Sequence, residues 1–461
     1  MSNSSGYQFE KWQSKYPDSW FSCVPGKNGF LPVSQPINEL DQKYQIIDDL
    51  LNEMRITQKD GSQGLLAKNK FAEAVDERLP LFDFSDIKDI GILAALLRDY
   101  YFMSAAYSLE SSHFDLNDGV YGQARVNLPK QLAVPLKQLA EKNGVFPWMD
   151  YAHGYGLNNA VLKDGADPTK QESYETIRMF NGHESESGFI NVHVAIDYQS
   201  GALLQYQQET LESLSNKDQQ AFTDSLTNHA DIFENMVSTL QSMWKASRSS
   251  DYLSFRTFIM GHKGNKVCYP DEHIILELGE GVNETHSYRG ETGAQDSIIP
   301  SVDNFVELEY PINKLTEYLY DLRKYRPKDH QEYIEYNKYH SSNLGFKNFA
   351  KKDSKSAFAL LRNLDCLRAF RSCHWNLTKS YIINNTKHPV ATGGTPITTW
   401  LPNQLGATLD YMSEVVGVIN IEELSESDQE RYVQIKKDLE NQKERIFEEV
   451  RKMQEDFVDQ E

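Results

Sequence analysis

Residues 353–384 constrain this chain more than any other stretch. At steps of four and three, Leu360, Leu364, Leu367, Arg371, His374, Thr378 and Tyr381 fall on one face of a helix. A neighbouring stripe carries Cys366, Phe370, Cys373 and Leu377. A helix that is apolar over most of its circumference belongs at the centre of a fold, yet this one holds two ionisable groups three residues apart. A buried arginine costs several kcal/mol unless it meets an anion, and a buried histidine needs a partner for each ring nitrogen. Two readings satisfy those demands. One is an Arg–Asp pair between helices beside a hydrogen-bonded core histidine. The other is a haem lying against the stripe, with neutral His374 on the iron and Arg371 one turn away on a propionate. The helix alone does not choose between them.

Helical periodicity runs through most of the remaining chain and predicts an all-α, mostly helical fold. Residues 36–56 read as a helix starting at Pro36, and 86–109 as an interior one. Residues 128–144 form a helical pattern broken by two prolines and stopped at Asn143-Gly144. Further helices are expected at 217–247, 300–323, 328–340, 353–384 and 397–416. Loops are expected at 280–297 and 385–396. The charged segment from 423 onward, with its thin apolar stripe, reads as an exposed or partner-packing helix.

The formal charge of −20 argues against a nucleic-acid or anionic-membrane surface. No run approaches the roughly 20 apolar residues of a membrane span. The start "MSNSSGYQFEKW" lacks a basic, apolar leader pattern. Its four cysteines form no CxxC pair, and its twelve histidines form no HExxH. A cytoplasmic protein with reduced thiols is expected, and a metal hydrolase is disfavoured. Cys373 as a thiolate ligand is the weaker choice, because His374 sits on the better-placed stripe.

Other constellations carry chemistry. "SFRTFIMGHKGN" (254–265) buries Arg256, a second candidate anion receptor. "ETGAQDSIIPSVD" (291–303) makes a small-residue turn into a helix, whose N–H groups suit an oxyanion or substrate atom. "VATGGTP" (390–396) reads as a loop closing over a ligand, with hydroxyls on Thr392 and Thr395.

Taken in order, these stretches resemble the indoleamine 2,3-dioxygenase family of haem proteins. "LPKQLAVPLKQLAEKNGVFPWMDYAHGYGLNN" resembles its entry segment, and "GFINVHVAID" its distal-wall helix. "FRTFIMGHKGN" is similar to its arginine-bearing helix, and "ETGAQDSIIPSVD" to its small-residue turn. "RSCH" resembles its proximal-histidine helix and "ATGGTPITTWL" its GGT loop. The resemblance spans about residues 125–416.

It implies haem b with His374 as axial iron ligand. Arg371 then holds a propionate and pairs with Asp303, while Thr292 and Gly293 line the distal pocket. Arg256 takes the substrate carboxylate and Thr392 lies on its ammonium side. Tyr151, Tyr155, Phe189, Tyr252 and Gly393 complete the substrate pocket. His193 stands where mammalian members carry serine, and could meet bound oxygen or the indole N–H; a strand with His193 on its polar face is the competing reading. Asp251 replaces an expected aromatic residue, so the indole pocket differs from that of the mammalian enzymes.

The implied organisation is a smaller N-terminal helical domain (1–165) whose end covers the distal side. A large haem-binding domain (166–416) and an acidic C-terminal helix (417–461) follow. The implied reaction inserts O2 into the indole C2–C3 bond of L-tryptophan or a related indoleamine, with an electron donor to reduce the iron. Two rivals are a haem enzyme rearranging a modified tryptophan, as in pyrrolnitrin biosynthesis, and a non-enzymatic gas-binding haem protein. The sequence leaves the oligomeric state open.

Overall fold

A computed structural model describes residues 9–117, 119–310, 314–387, 390–394 and 397–458. Its principal helices are α1 (Gln45–Met54), α2 (Ile90–Phe114), α3 (Lys130–Asn143), α4 (Glu184–Tyr198), α5 (Ser200–Asn216), α6 (Gln219–Gln241) and α7 (Ser249–Arg256). After these come α8 (Ile298–Phe305), α9 (Lys314–Arg323), α10 (Lys328–Leu344), α11 (Ser354–Thr378), α12 (Ile397–Val416) and α13 (Glu426–Val458). The expectation of a mostly helical fold therefore holds. One continuous apolar cluster runs from Cys23 to Leu439 and draws on nearly all of these helices.

The opening stripe is α11. Asp353 starts it by accepting from Lys355 N (3.0 Å) and Ser356 N (3.1 Å), two donors a first turn cannot satisfy within the helix. From there α11 packs between α6 and α12, and α13 lies over α12. Its last turn widens into a π-turn over Lys379–Ile383, beside the site described below.

The second interior helix, α2, buries Arg98, Asp99 and Glu110 along with its apolar residues. Each acid is paired. Asp99 accepts from Arg98 (2.9 Å) and Arg178 (2.7 Å), and Glu110 accepts from the backbone N–H groups of Phe71 (2.5 Å) and Ala72 (3.1 Å). In that way Glu110 caps the short helix Phe71–Arg78 from another element.

Several boundaries differ from expectation. Pro135 sits inside an unbroken α3, which gives up one i→i−4 bond but keeps its buried face of Leu132, Leu136 and Leu139. Residues 300–323 hold two helices, since α8 ends at Phe305 and α9 begins at Lys314. The first helix begins at Gln45, after a 3-10 turn at Gln42–Tyr44. Part of the expected loop 280–297 is a strand. Among the described residues, β1 (Asn127–Leu128), β4 (Ile274–Gly279) and β5 (Val282–His286) form one small sheet, while β2 (Ala160–Leu162) pairs with β3 (Tyr174–Thr176). "FINVHVAID" lies in α4, so the strand reading of His193 fails. Among the described residues, no helix is long and apolar enough to cross a membrane.

Candidate functional site

Two cavities meet at His193 and His374. The larger, about 410 Å³, opens between α4, α8, α9 and α11, and the smaller, about 110 Å³, lies toward α7 and the 290–293 turn. His193, Leu240, Gly293 and His374 belong to the walls of both. A Cβ built on Gly293 meets nothing within 4 Å, so the turn leaves open space where the cavities join. One imidazole comes from α4 and the other from α11. Burial draws the pKa of each down to about 4; for His193 the nearby His374 adds a smaller push. Both rings are therefore neutral at ordinary pH, the form in which imidazole ligates a metal.

One turn before His374, Arg371 meets the acid its burial demands. It donates to Asp303 Oδ1 (2.8 Å) and Oδ2 (2.7 Å), to Thr408 Oγ1 (2.8 Å) and to Tyr310 Oη. Tyr310 Oη in turn donates to Asp303 Oδ2 (2.7 Å). The Arg–Asp pair predicted from the sequence is thus present on the wall of the larger cavity.

On the opposite wall, Tyr151 opens a π-turn (Tyr151–Tyr155) that Asp150 caps through His153 N at 2.6 Å. Its hydroxyl donates to Asp197 Oδ2 at 2.9 Å, one helical turn beyond His193. Burial first, and the charge of neighbouring Asp296 second, push the Asp197 carboxyl well above the ordinary range. Two buried carboxyls in contact share one proton, because both cannot ionise together.

The smaller cavity is lined by Phe189, Tyr252, Glu291, Thr292, Tyr381 and Thr392, among others. Phe189 stands 4.8 Å from His193 and 5.4 Å from Tyr252, ring centre to ring centre. Thr292 caps the turn that carries Gly293, accepting from Ala294 N at 3.4 Å. Thr392 donates to the Glu291 carbonyl, while its own carbonyl accepts from Asn265 Nδ2 (2.9 Å) and Gly261 N (3.2 Å). Gly394, with φ of +81°, lies so close to the 263–264 turn that a Cβ there would fall 2.1 Å from Lys263 O. Segment 390–394 of the expected loop is therefore docked on the chamber wall; Thr395 lies outside the described residues.

The structure brings His193, His374, Arg371, Asp303, Gly293 and Tyr151 to the larger cavity. Thr292, Thr392, Phe189 and Tyr252 line the smaller one. It does not bring three others to either wall. Arg256 is fully buried and donates to Tyr121 Oη (2.6 Å) and to Val390 O, leaving Nε without a partner. Tyr155 lies behind Phe189, its ring tilted at 48° to it, and donates to Glu186 (3.1 Å). Gly393 backs Thr292, and its carbonyl accepts from Arg289 (2.9 Å). Sequence reasoning missed Asp197, Glu291, Asp296, Tyr310, Arg323, Arg326 and Lys338. Of these only Asp197, i+4 from His193 on one helix, carried a usable signal.

The donor set fits a haem. The larger cavity presents Arg323, Arg326, Lys338 and Arg371 beside Asp197, Asp296, Asp303 and Glu309, and both Arg326 Nη1 and Arg371 Nε are buried with no hydrogen-bond partner. Orphaned buried donors call for an anion, and neutral imidazoles at the junction suit an iron.

Comparison with known proteins agrees with this geometry. The family model for "Indoleamine 2,3-dioxygenase" matches residues 22–446. An indoleamine 2,3-dioxygenase of Aspergillus candidus is 25% identical over 329 residues, covering 68% of this chain and 75% of that protein. The Saccharomyces cerevisiae indoleamine 2,3-dioxygenase is 24% identical over 401 residues, 79% of this chain and 81% of its own. Indoleamine 2,3-dioxygenase 2 of Mus musculus is 23% identical over 363 residues, 75% and 86% respectively.

Proposed function

We propose that this chain, which belongs to the indoleamine 2,3-dioxygenase family and is a haem-dependent oxidoreductase of the tryptophan-degrading type, cleaves the indole C2–C3 bond of L-tryptophan or a related indoleamine. The observation that carries this reading is the meeting of His193 and His374 at the junction of two cavities, one presenting unpartnered N–H groups of Arg326 and Arg371 and the other walled by aromatic rings.

In this reading His374 holds the haem iron and Arg371, kept in place by Asp303 and Tyr310, holds a propionate. When bound, the haem supplies the one-electron and O2 chemistry that side chains lack. Both oxygen atoms enter the ring, and tryptophan plus O2 gives N-formylkynurenine with no other co-product. An external electron donor keeps the iron reduced. The chain itself contributes orientation. Phe189 and Tyr252 hold the indole, and neutral His193 accepts from the indole N–H. Thr392 lies on the ammonium side, and the docked 390–394 segment keeps water out. Arg256 keeps an unpartnered Nε, but it stands on neither cavity wall and its Nη atoms are held by Tyr121 and Val390, so it reaches a substrate carboxylate only by moving. That arrangement is the observation favouring a second reading, an indole substrate modified or lacking the carboxylate.

The test is reconstitution with haemin, beside His374→Ala. A Soret band that depends on His374, and conversion of L-tryptophan to a product absorbing like N-formylkynurenine, are expected. A His374-dependent haem that leaves L-tryptophan untouched moves the substrate to modified indoles. Haem retention unaffected by His374→Ala overturns the ligand assignment.

A further inference from the structure

The chamber beside His193 contains a charge problem that the reaction as described does not use. Glu291 is only 3% exposed, lies on the chamber wall, and makes no side-chain hydrogen bond or ion pair among the described residues. Its charge is felt at Tyr151, Tyr155 and Tyr252, which places the carboxyl among the rings that surround the chamber. No Lys or Arg stands among the described residues of that wall. The nearby cation Arg256 is committed to Tyr121 and Val390. Burial above all, and Asp150 secondarily, push the Glu291 pKa up to about 8. The other titratable groups around it are His193, His374, Tyr151, Tyr155, Tyr252 and Tyr381.

An unpaired buried carboxyl costs stability and persists where something outside the fold completes it. Here the surroundings specify what. An acid with no cation, facing Phe189, Tyr252 and Tyr381, is the environment that takes a cationic nitrogen, since ring faces add to the attraction of the carboxylate. Thr392 donates to the Glu291 backbone carbonyl, so the hydroxyl expected on the ammonium side and this carboxyl belong to one corner of the chamber.

We propose that Glu291 is the counter-ion for the protonated amine of the substrate, and that the chamber selects indoles by that amine more than by a carboxylate. This rests on the reading that the indole docks in this chamber. On binding, the carboxylic acid gives its proton to solvent and the resulting carboxylate pairs with the ammonium; no bond to the substrate forms or breaks.

The test uses the haem-loaded enzyme, wild type and Glu291→Gln, with tryptamine, L-tryptophan and indole-3-propionic acid as probes. Binding is read by calorimetry in two buffers of different ionisation enthalpy and by the Soret shift. Glu291→Gln is expected to weaken tryptamine about tenfold or more, to weaken L-tryptophan less, and to leave indole-3-propionic acid within about twofold. Wild type at pH 6.5 is expected to release about one proton per tryptamine bound and none with indole-3-propionic acid. The wild-type measurement decides the matter even if the variant fails to take up haem. Equal losses for all three probes, or no proton release with tryptamine, overturn the assignment while leaving the indole site intact. If wild type holds haem through His374 and binds none of the probes, the proposed function fails and this inference with it.

Discussion

Two histidines meet α11, His229 from α6 and His374 from α11 itself, and their surroundings could hardly differ more. His229, on α6, donates from Nδ1 to Asn363 Oδ1 (2.5 Å) and accepts at Nε2 from Gln207 (3.2 Å). Gln207 passes the network on to Ser301 (3.0 Å) and Asn337 (2.7 Å), tying α5, α6, α8, α10 and α11 together. His374, eleven residues beyond Asn363 on α11, lies instead on the walls of two cavities. Both imidazoles are drawn down to about pKa 4 by burial, so the pKa does not separate them. What separates them is whether packed protein or open space lies beside the ring. Polar groups enclosed by packed neighbours specify the fold, and a ring on a cavity wall is placed to meet a ligand.

The sharpest break in that comparison is His374→Ala. We expect complete loss of the Soret band with little change in the unfolding of the haem-free protein. A large loss of apoprotein stability would put His374 with His229 among the packing residues. Next in size is Asp303→Ala, which strands Arg371 as a buried unpaired charge. A loss of about 3–5 kcal/mol in urea unfolding of the haem-free protein is expected. Tyr310→Phe, which removes one donor and leaves the ion pair, should cost about 1 kcal/mol.

Glu291→Gln tests the cavity side from the opposite direction, since it removes a group the fold must tolerate. A carboxyl whose folded pKa is raised from 4.5 to about 8 stabilises the protein only while protonated. Its penalty grows as pH rises between those values. In urea unfolding without substrate, the variant should therefore gain on wild type by on the order of 3 kcal/mol between pH 5 and pH 8. A difference independent of pH would mean that Glu291 has a partner in the folded state.

These contrasts also mark what the sequence could reveal. The α11 stripe was legible because burial and a helical period fix which residues share a face. Arg371 then required an acid, and Asp303 supplies it. Neither of the two initial readings of that helix excludes the other: the Arg–Asp pair exists and lies on the wall of a cavity that fits a haem. Glu291 was not legible as an unpaired charge. Its environment is assembled from Phe189, Tyr252, Tyr381 and Thr392, which lie on separate segments, and no local pattern reports the absence of a cation. Arg256 shows the same limit from the other side. Burial of an arginine could be read from its apolar neighbours, but its partners Tyr121 and Val390 lie 135 and 134 residues away. Pro135 misled because a single proline costs one hydrogen bond, whereas the buried face of α3 spans the whole helix.

At His229 the pH dependence, more than the size of the loss, carries the information. Replacing His229 with Gln removes one of two matched hydrogen bonds and should cost about 1–3 kcal/mol in urea unfolding at pH 7.5. The wild-type ring has a folded pKa of about 4 against 6.5 unfolded, so the stability it contributes is full above 6.5 and falls away as pH drops toward 4. That loss amounts to about 3 kcal/mol over the window, and a variant without the imidazole does not suffer it. The deficit of His229→Gln should therefore shrink as pH falls and close near pH 4.5. A deficit that stays constant over the same range would mean that the folded protein accepts a proton on His229. In that case the packed network is looser than its hydrogen bonds imply, and the distinction between the two histidines would rest on His374 alone.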